Sequence, residues 1–140
     1  MRKTNKIATA VAVAALLGGA MAGTAHAEDA PFPTDKQCAK NKPTDTITKG
    51  WCAAIVRSKG NCLACHDIQT PRFPKDLVGP GNIAPPLVAM KSRFPDKTKL
   101  RAQVWDATVA NPESVMIPFG RHRVLTEEEI DNVVEFLLTL

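Results

Sequence analysis

Gly60-Asn61-Cys62-Leu63-Ala64-Cys65-His66 is the stretch whose chemistry decides the fold. Two thiols stand three positions apart, and an imidazole follows the second directly. On one helical turn, thiols at that separation reach the two vinyl groups of a single haem and form a thioether with each. The next residue then brings an imidazole beneath the iron. The pattern is that of covalent haem attachment, with Cys62 and Cys65 as the linking residues and His66 as the proximal ligand. Two other readings of the cysteine pair fit less well. A dithiol redox motif belongs in a βαβ setting, and no run of this sequence alternates like a strand over a useful length. A zinc site needs two more ligands at metal spacing, which Cys38 and Cys52 do not offer.

An electron carrier needs a second axial ligand on the other face of the haem. Met90, Met116 and His122 are the candidates. Met116 is favoured because it falls in a link between two expected helices, stiffened by Asn111-Pro112 and Pro118, and far enough from His66 for the chain to cross the haem. Met90 reads equally as core filler in Pro86-Leu87-Val88-Ala89-Met90. His122 lies between Arg121 and Arg123 and reads as a solvated residue; that charged run could also meet a propionate or a partner. Methionine opposite histidine raises the haem potential. A proximal histidine also wants an acceptor for its second ring N–H. The Ala84-Pro85-Pro86-Leu87 turn can supply one, and Pro85 is the expected carbonyl.

The ends of the chain frame this site. Arg2, Lys3 and Lys6 precede an uncharged apolar run over 7–23, followed by Ala25-His26-Ala27. This is a secretory signal pattern, with cleavage expected after Ala27 and delivery to the periplasm. No later segment is apolar and long enough to span a bilayer. The leader holds three basic and no acidic residues, so its removal takes the net charge from +4 to +1. That balance gives no electrostatic case for nucleic acid. In an oxidising compartment Cys38 and Cys52 read as a disulfide, although a reactive thiol stays open.

The remaining chain suits one small domain. Residues 28–46 are polar, with Pro31, Pro33 and Pro43, and read as an extended arm ahead of a domain over 47–140. Helices are expected over 48–59, with Gly60 as its stop, over 87–93, and over 98–110. The last helix follows the capping box Thr126-Glu127-Glu128-Glu129, with Leu125 and Ile130 as a hydrophobic staple. Its expected stripe is Ile130, Val133, Val134, Leu137 and Leu138. The class is all-α, a class I cytochrome c-like fold of three to five helices around one haem c.

Three segments carry a family resemblance: the haem motif with Asn61 before it, Gly81-Asn82-Ile83-Ala84-Pro85-Pro86-Leu87, and Val115-Met116-Ile117-Pro118-Phe119-Gly120. With the last helix, they resemble the SoxX family, the monohaem smaller subunits of the SoxXA complexes of sulfur-oxidising bacteria. The resemblance spans most of 50–140. It implies Cys62 and Cys65 as thioether residues, His66 and Met116 as axial ligands, and a SoxA-like cytochrome partner that carries the catalytic residues. Such a complex, an L-cysteine S-thiosulfotransferase, joins thiosulfate to a cysteine of the SoxYZ carrier. The smaller subunit accepts the released electrons and passes them to another c-type cytochrome. By that resemblance this chain has no catalytic residue of its own. The competing expectations are a free monohaem cytochrome serving a terminal oxidase, and a haem peroxidase. Met116 argues against the peroxidase, which needs an open iron and a distal acid–base pair.

Overall fold

The computed structural model describes residues 30–140; the expected leader over 1–27 lies outside the described residues. Five α-helices follow in order: α1 Asp35–Lys40, α2 Thr46–Ile55, α3 Met90–Arg93, α4 Lys97–Trp105 and α5 Glu127–Leu137. A 3-10 turn over Cys62–Ala64 carries the cysteine motif, and another over Ala107–Val109 follows α4. Among the described residues there is no strand, only one isolated parallel bridge between Ile68 and Leu87. The all-α class is as expected.

The α5 helix starts where its sequence places it. The Thr126 hydroxyl accepts from the Glu129 amide at 3.2 Å, and the Glu129 carboxylate accepts from the Thr126 amide at 2.9 Å. This reciprocal pair satisfies two amide donors that the first turn cannot bond internally. Three carboxylates stand at the positive end of the helix dipole. The buried face is Ile130, Val133, Val134, Phe136 and Leu137. Phe136 takes the place expected of Leu138, which is only half-buried. The reason is the neighbour: Phe136 lies against α2 where that helix comes closest.

The α2 helix is capped by Asp45, whose carboxylate accepts from the Thr48 amide at 2.8 Å. Every residue from Gly50 to Ile55 is buried. Its main partner is α5, and the two meet at Gly50. A methyl group there would lie 1.9 Å from the Asn132 carbonyl oxygen and 2.8 Å from the Phe136 Cβ. Glycine is thus required by contact with backbone, which cannot move aside as a flexible side chain can.

The expected helix over 48–59 ends instead at Ile55, and Gly60 is not its stop. Val56 is extended, at φ −65° and ψ 126°. The chain then doubles back, and the Gly60 amide donates to the Ala53 carbonyl at 2.9 Å. A Cβ on Gly60 would stand 2.7 Å from that same oxygen. This return lays the cysteine motif against α2. Similarly, the helix expected over 98–110 is broken after Trp105. Asp106 adopts φ −159° and ψ 94°, and its carboxylate caps the following turn through the Thr108 amide at 3.0 Å. The helix expected over 87–93 shrinks to a single turn, preceded by Ala89 in the left-handed region.

The stretch over 28–46 departs furthest from expectation. It is not simply an extended arm. Thr34 and Gln37 form a capping box, and α1 follows. Before it, Phe32 enters the core and stacks on Trp51 with ring centroids 4.9 Å apart. The Trp51 indole N–H donates to the Pro33 carbonyl at 2.7 Å. The Arg72 guanidinium covers the other face of Phe32 at 3.8 Å and donates to the Ala30 carbonyl at 2.6 Å. Cys38 and Cys52 form a disulfide between α1 and α2, with Cα atoms 5.5 Å apart. The core therefore begins near residue 32 rather than at 47.

The Gly50 contact sets a sharp expectation. Gly50→Ala should lower stability by about 3 kcal/mol, a large overpacking cost, as read from the urea midpoint at unchanged slope. Gly79→Ala, where an added Cβ meets nothing within 4 Å, should leave the midpoint within experimental scatter.

Candidate haem-binding cleft

Asn61 is the residue that turns the chain into the motif. It sits in the left-handed region at φ 46° and ψ 36°, a conformation that asparagine tolerates better than most side chains. The 3-10 turn that follows presents Cys62 and Cys65. The His66 amide donates to the Cys62 carbonyl at 2.9 Å, which fixes the histidine relative to the first cysteine.

A second segment is laid along this turn by main-chain hydrogen bonds. The Gly81 amide donates to the Leu63 carbonyl at 2.7 Å, Ala84 to Cys65 at 3.0 Å and Leu87 to Asp67 at 2.7 Å. The Gln69 amide donates back to the Leu87 carbonyl at 3.1 Å. Close docking needs glycine at the first rung, because a Cβ on Gly81 would stand 2.2 Å from the Ala64 carbonyl oxygen. The Pro85 carbonyl thereby arrives 2.7 Å from His66 Nδ1. A carbonyl can only accept, so Nδ1 carries the proton and neutral His66 keeps its lone pair on Nε2. Arg93 donates to the next carbonyl, that of Pro86, at 2.7 Å.

Cys62, Cys65, His66 and Met116 all line one cleft of about 520 Å³. That size is in the range of pockets that enclose a small organic ligand. Its depth is apolar, with Leu100, Val104, Phe119, Leu125, Val133 and Leu137 among the lining residues. Met90 also lines the cleft but is buried in the core, and its sulfur lies 3.6 Å from an Arg93 nitrogen. His122 is exposed and does not line it. Of the three candidates for a second ligand, Met116 and Met90 are thus at the cleft, and His122 is not.

The donor set and the walls fit a haem c. Two thiols, a histidine with its lone pair on Nε2 and a thioether share one apolar cleft, a ligand combination found in c-type cytochromes. Burial pushes the Cys62 thiol up to about 12, so it is protonated at neutral pH. That is opposite to the low-pKa thiolate of a dithiol redox pair. The zinc reading also loses its extra ligands, since Cys38 and Cys52 are bonded to each other.

Sequence reasoning missed Asp106, the one charged residue buried among the described residues. One carboxylate oxygen accepts from Thr108, and the other meets the Arg121 guanidinium at 3.0 Å. The hydrogen bonds from Thr108, outweighing burial, and the Arg121 charge hold its carboxyl below the usual carboxylate range. Beside it, the Gly120 amide donates to the Trp105 carbonyl at 3.0 Å, and a Cβ on Gly120 would lie 2.1 Å from the Trp105 ring. The Asn111-Pro112 break after an expected helix was visible; the aspartate that breaks the helix five residues earlier was not.

No protein-family model matches the chain. A curated protein described as an uncharacterized lipoprotein, from Aquifex aeolicus (strain VF5), is 35% identical over 79 residues, 56% of this chain. Those residues cover 36% of that relative, so the chain spans about a third of its length. Among solved structures, SoxXA from P. pantotrophus matches with a TM-score of 0.59 at 26% identity, covering 70% of this chain and 83% of that one. The chain thus has an all-α, cytochrome c-like fold similar to a SoxXA chain.

Proposed function

We propose that this chain is a monohaem c-type cytochrome that serves as the electron-transfer subunit of a SoxXA-like complex. The observation that carries the reading is that one apolar cleft gathers Cys62, Cys65, His66 and Met116. The likeness to SoxXA points to the complex. Cys62 and Cys65 would hold the haem c through thioethers, with His66 and Met116 as axial ligands. Once bound, the haem would supply a one-electron iron couple.

The chain's own residues shape that couple. The Pro85 carbonyl holds the proton on His66 Nδ1, which keeps Nε2 available and its ring orientation fixed. Met116 would hold the iron as a neutral thioether, which would favour the reduced state and raise the potential relative to a second histidine. The apolar lining excludes water and discourages an added charge, which acts in the same direction. If His66 and Met116 both held the iron, no open position would remain for peroxide, and the site would suit electron transfer.

The mouth of the cleft supports a protein partner. Ile83, Val115 and Ile117 line it and are 75%, 89% and 50% exposed. Large apolar side chains grouped at a rim suit burial against another protein. The proposed partner is a SoxA-like cytochrome that holds the catalytic residues. It would join thiosulfate to a cysteine of a SoxYZ carrier and hand the electrons to this chain, which would relay them to a further c-type cytochrome. The Cys38–Cys52 disulfide suits a leader removed after Ala27 and a periplasmic location. Among the described residues no helix is long and apolar enough to cross a membrane.

Co-expression with a SoxA-like partner tests the complex. The two chains should co-purify and acquire thiosulfate-dependent reduction of the haem, whereas a chain that stays monomeric and unreduced would instead be a free shuttle. Met116→Ala should abolish the long-wavelength methionine–iron band of the oxidised protein; an unchanged band would remove Met116 from the ligand set. Gly81→Ala should lift the Pro85 segment from the motif. Exchange of the His66 Nδ1 proton, followed by NMR, should then accelerate by about tenfold or more, the equivalent of losing roughly one hydrogen bond. Unchanged exchange would show that the Pro85 contact does not depend on that docking.

A further inference from the structure

The Met116 segment runs from the 3-10 turn after α4 to the capping box of α5. Its downstream end is fastened to the C-terminus of α4 at three adjoining points. The Gly120 amide bonds the Trp105 carbonyl, and the Gly120 backbone packs closely against the Trp105 ring. One residue further, Arg121 reaches Asp106. Asp106 is 5% exposed, while the Arg121 side chain is 55% exposed. A buried carboxylate whose two oxygens are divided between its own turn and a distant loop costs desolvation that a mere helix stop would not require. An asparagine or serine would cap the Ala107–Val109 turn as well. What those residues cannot offer is a charge for Arg121.

We infer that the Asp106–Arg121 pair is a latch that holds the Met116 segment over the cleft and so sets how readily an outside ligand displaces Met116. Asp106 and Arg121 are positioning residues, acting through Met116 without entering the cleft. The inference rests on the reading of Met116 as an axial ligand. With Met116 holding the haem iron, displacement would require the segment to lift, so that the incoming ligand's bond to iron would replace that of the Met116 sulfur. The apparent affinity of that ligand is its intrinsic affinity multiplied by the fraction of molecules with the segment lifted. Weakening the latch raises that fraction and leaves the intrinsic affinity unchanged. The His66 side, held by main-chain bonds from Gly81, Ala84 and Leu87, contains neither latch residue.

Imidazole titration of the oxidised holoprotein, followed by loss of the methionine–iron band, tests this. Arg121→Gln should raise the apparent imidazole affinity roughly three- to tenfold, and Asp106→Asn by at least as much. The double variant should exceed Asp106→Asn alone by less than twofold, because the two residues act as one unit. Arg121→Gln alters an exposed side chain and leaves the Thr108 cap intact, so it remains informative if Asp106→Asn fails to fold. Lys97→Gln is the control. It removes a comparably exposed ion pair to Glu135 on α5, away from Trp105 and Gly120, and it should leave the imidazole affinity unchanged. The latch is overturned if Arg121→Gln stays within twofold of the parent, or if Lys97→Gln raises the affinity equally. A parent protein with no methionine–iron band would overturn the Met116 ligation itself, a result that no latch variant can mimic.

Discussion

Gly50 pressed onto the Asn132 carbonyl is the contact from which the rest of the fold is set. With no side chain between them, α2 and α5 meet at backbone distance, and Trp51 and Phe136 are carried into the same buried cluster. That crossing fixes the direction in which α2 points when it ends at Ile55. The return through Val56 to Gly60 then lays the cysteine motif beside α2, while Val133 and Leu137 on α5 line the cleft. The cleft thus meets α5 directly and α2 through the returning cysteine motif, and backbone contact sets the separation of those helices.

The segment ahead of α2 completes this unit from the other side. Phe32 lies between the Arg72 guanidinium and the Trp51 ring, and Phe136 meets it edge-on at 5.6 Å. A small domain has little core to spare, and one aromatic from a proline-rich stretch adds a substantial share of it. The disulfide from Cys38 to Cys52 anchors the same stretch to α2 at a second point. In the chain-entropy model a loop of this length contributes roughly 3 kcal/mol by restricting the unfolded chain. Both anchors are on α2, so the stretch reinforces the helix that carries Gly50.

Some of this was legible in the letters and some was not, for physical reasons. The α5 helix could be read because its signals are local: a capping box, a staple and a run of apolar residues at helical spacing. The cysteine motif could be read because covalent attachment dictates its spacing. Phe32 could not, since a single aromatic among prolines has no period to reveal its direction. The Thr34–Gln37 capping box was present in the sequence, but no apolar stripe follows it, and α1 buries no residue. The ends of α2 and α4 were misplaced because tertiary contacts decide them, through Gly60 on Ala53 and Asp106 toward Arg121. Leu138 and Phe136 are both plausible for a buried face, and only the partner at Gly50 selects between them.

The two sides of the cleft are fastened by different kinds of interaction, and this bears on how the site behaves. On the His66 side, successive main-chain bonds and the Pro85 carbonyl join two segments along their length. Opening that side would break several bonds together. On the Met116 side, the segment is fastened near its ends. At the near end the Asn111 amide donates to the Ala107 carbonyl at 3.0 Å, and the Trp105–Gly120 and Asp106–Arg121 contacts close the far end. The apolar residues between, Val115 and Ile117, face solvent rather than core. Local openings follow the weakest cooperative unit, and the methionine side, fastened at fewer points, is the weaker of the two. A partner covering Val115 and Ile117 would press that segment inward. Docking of a partner there would then hold Met116 in place.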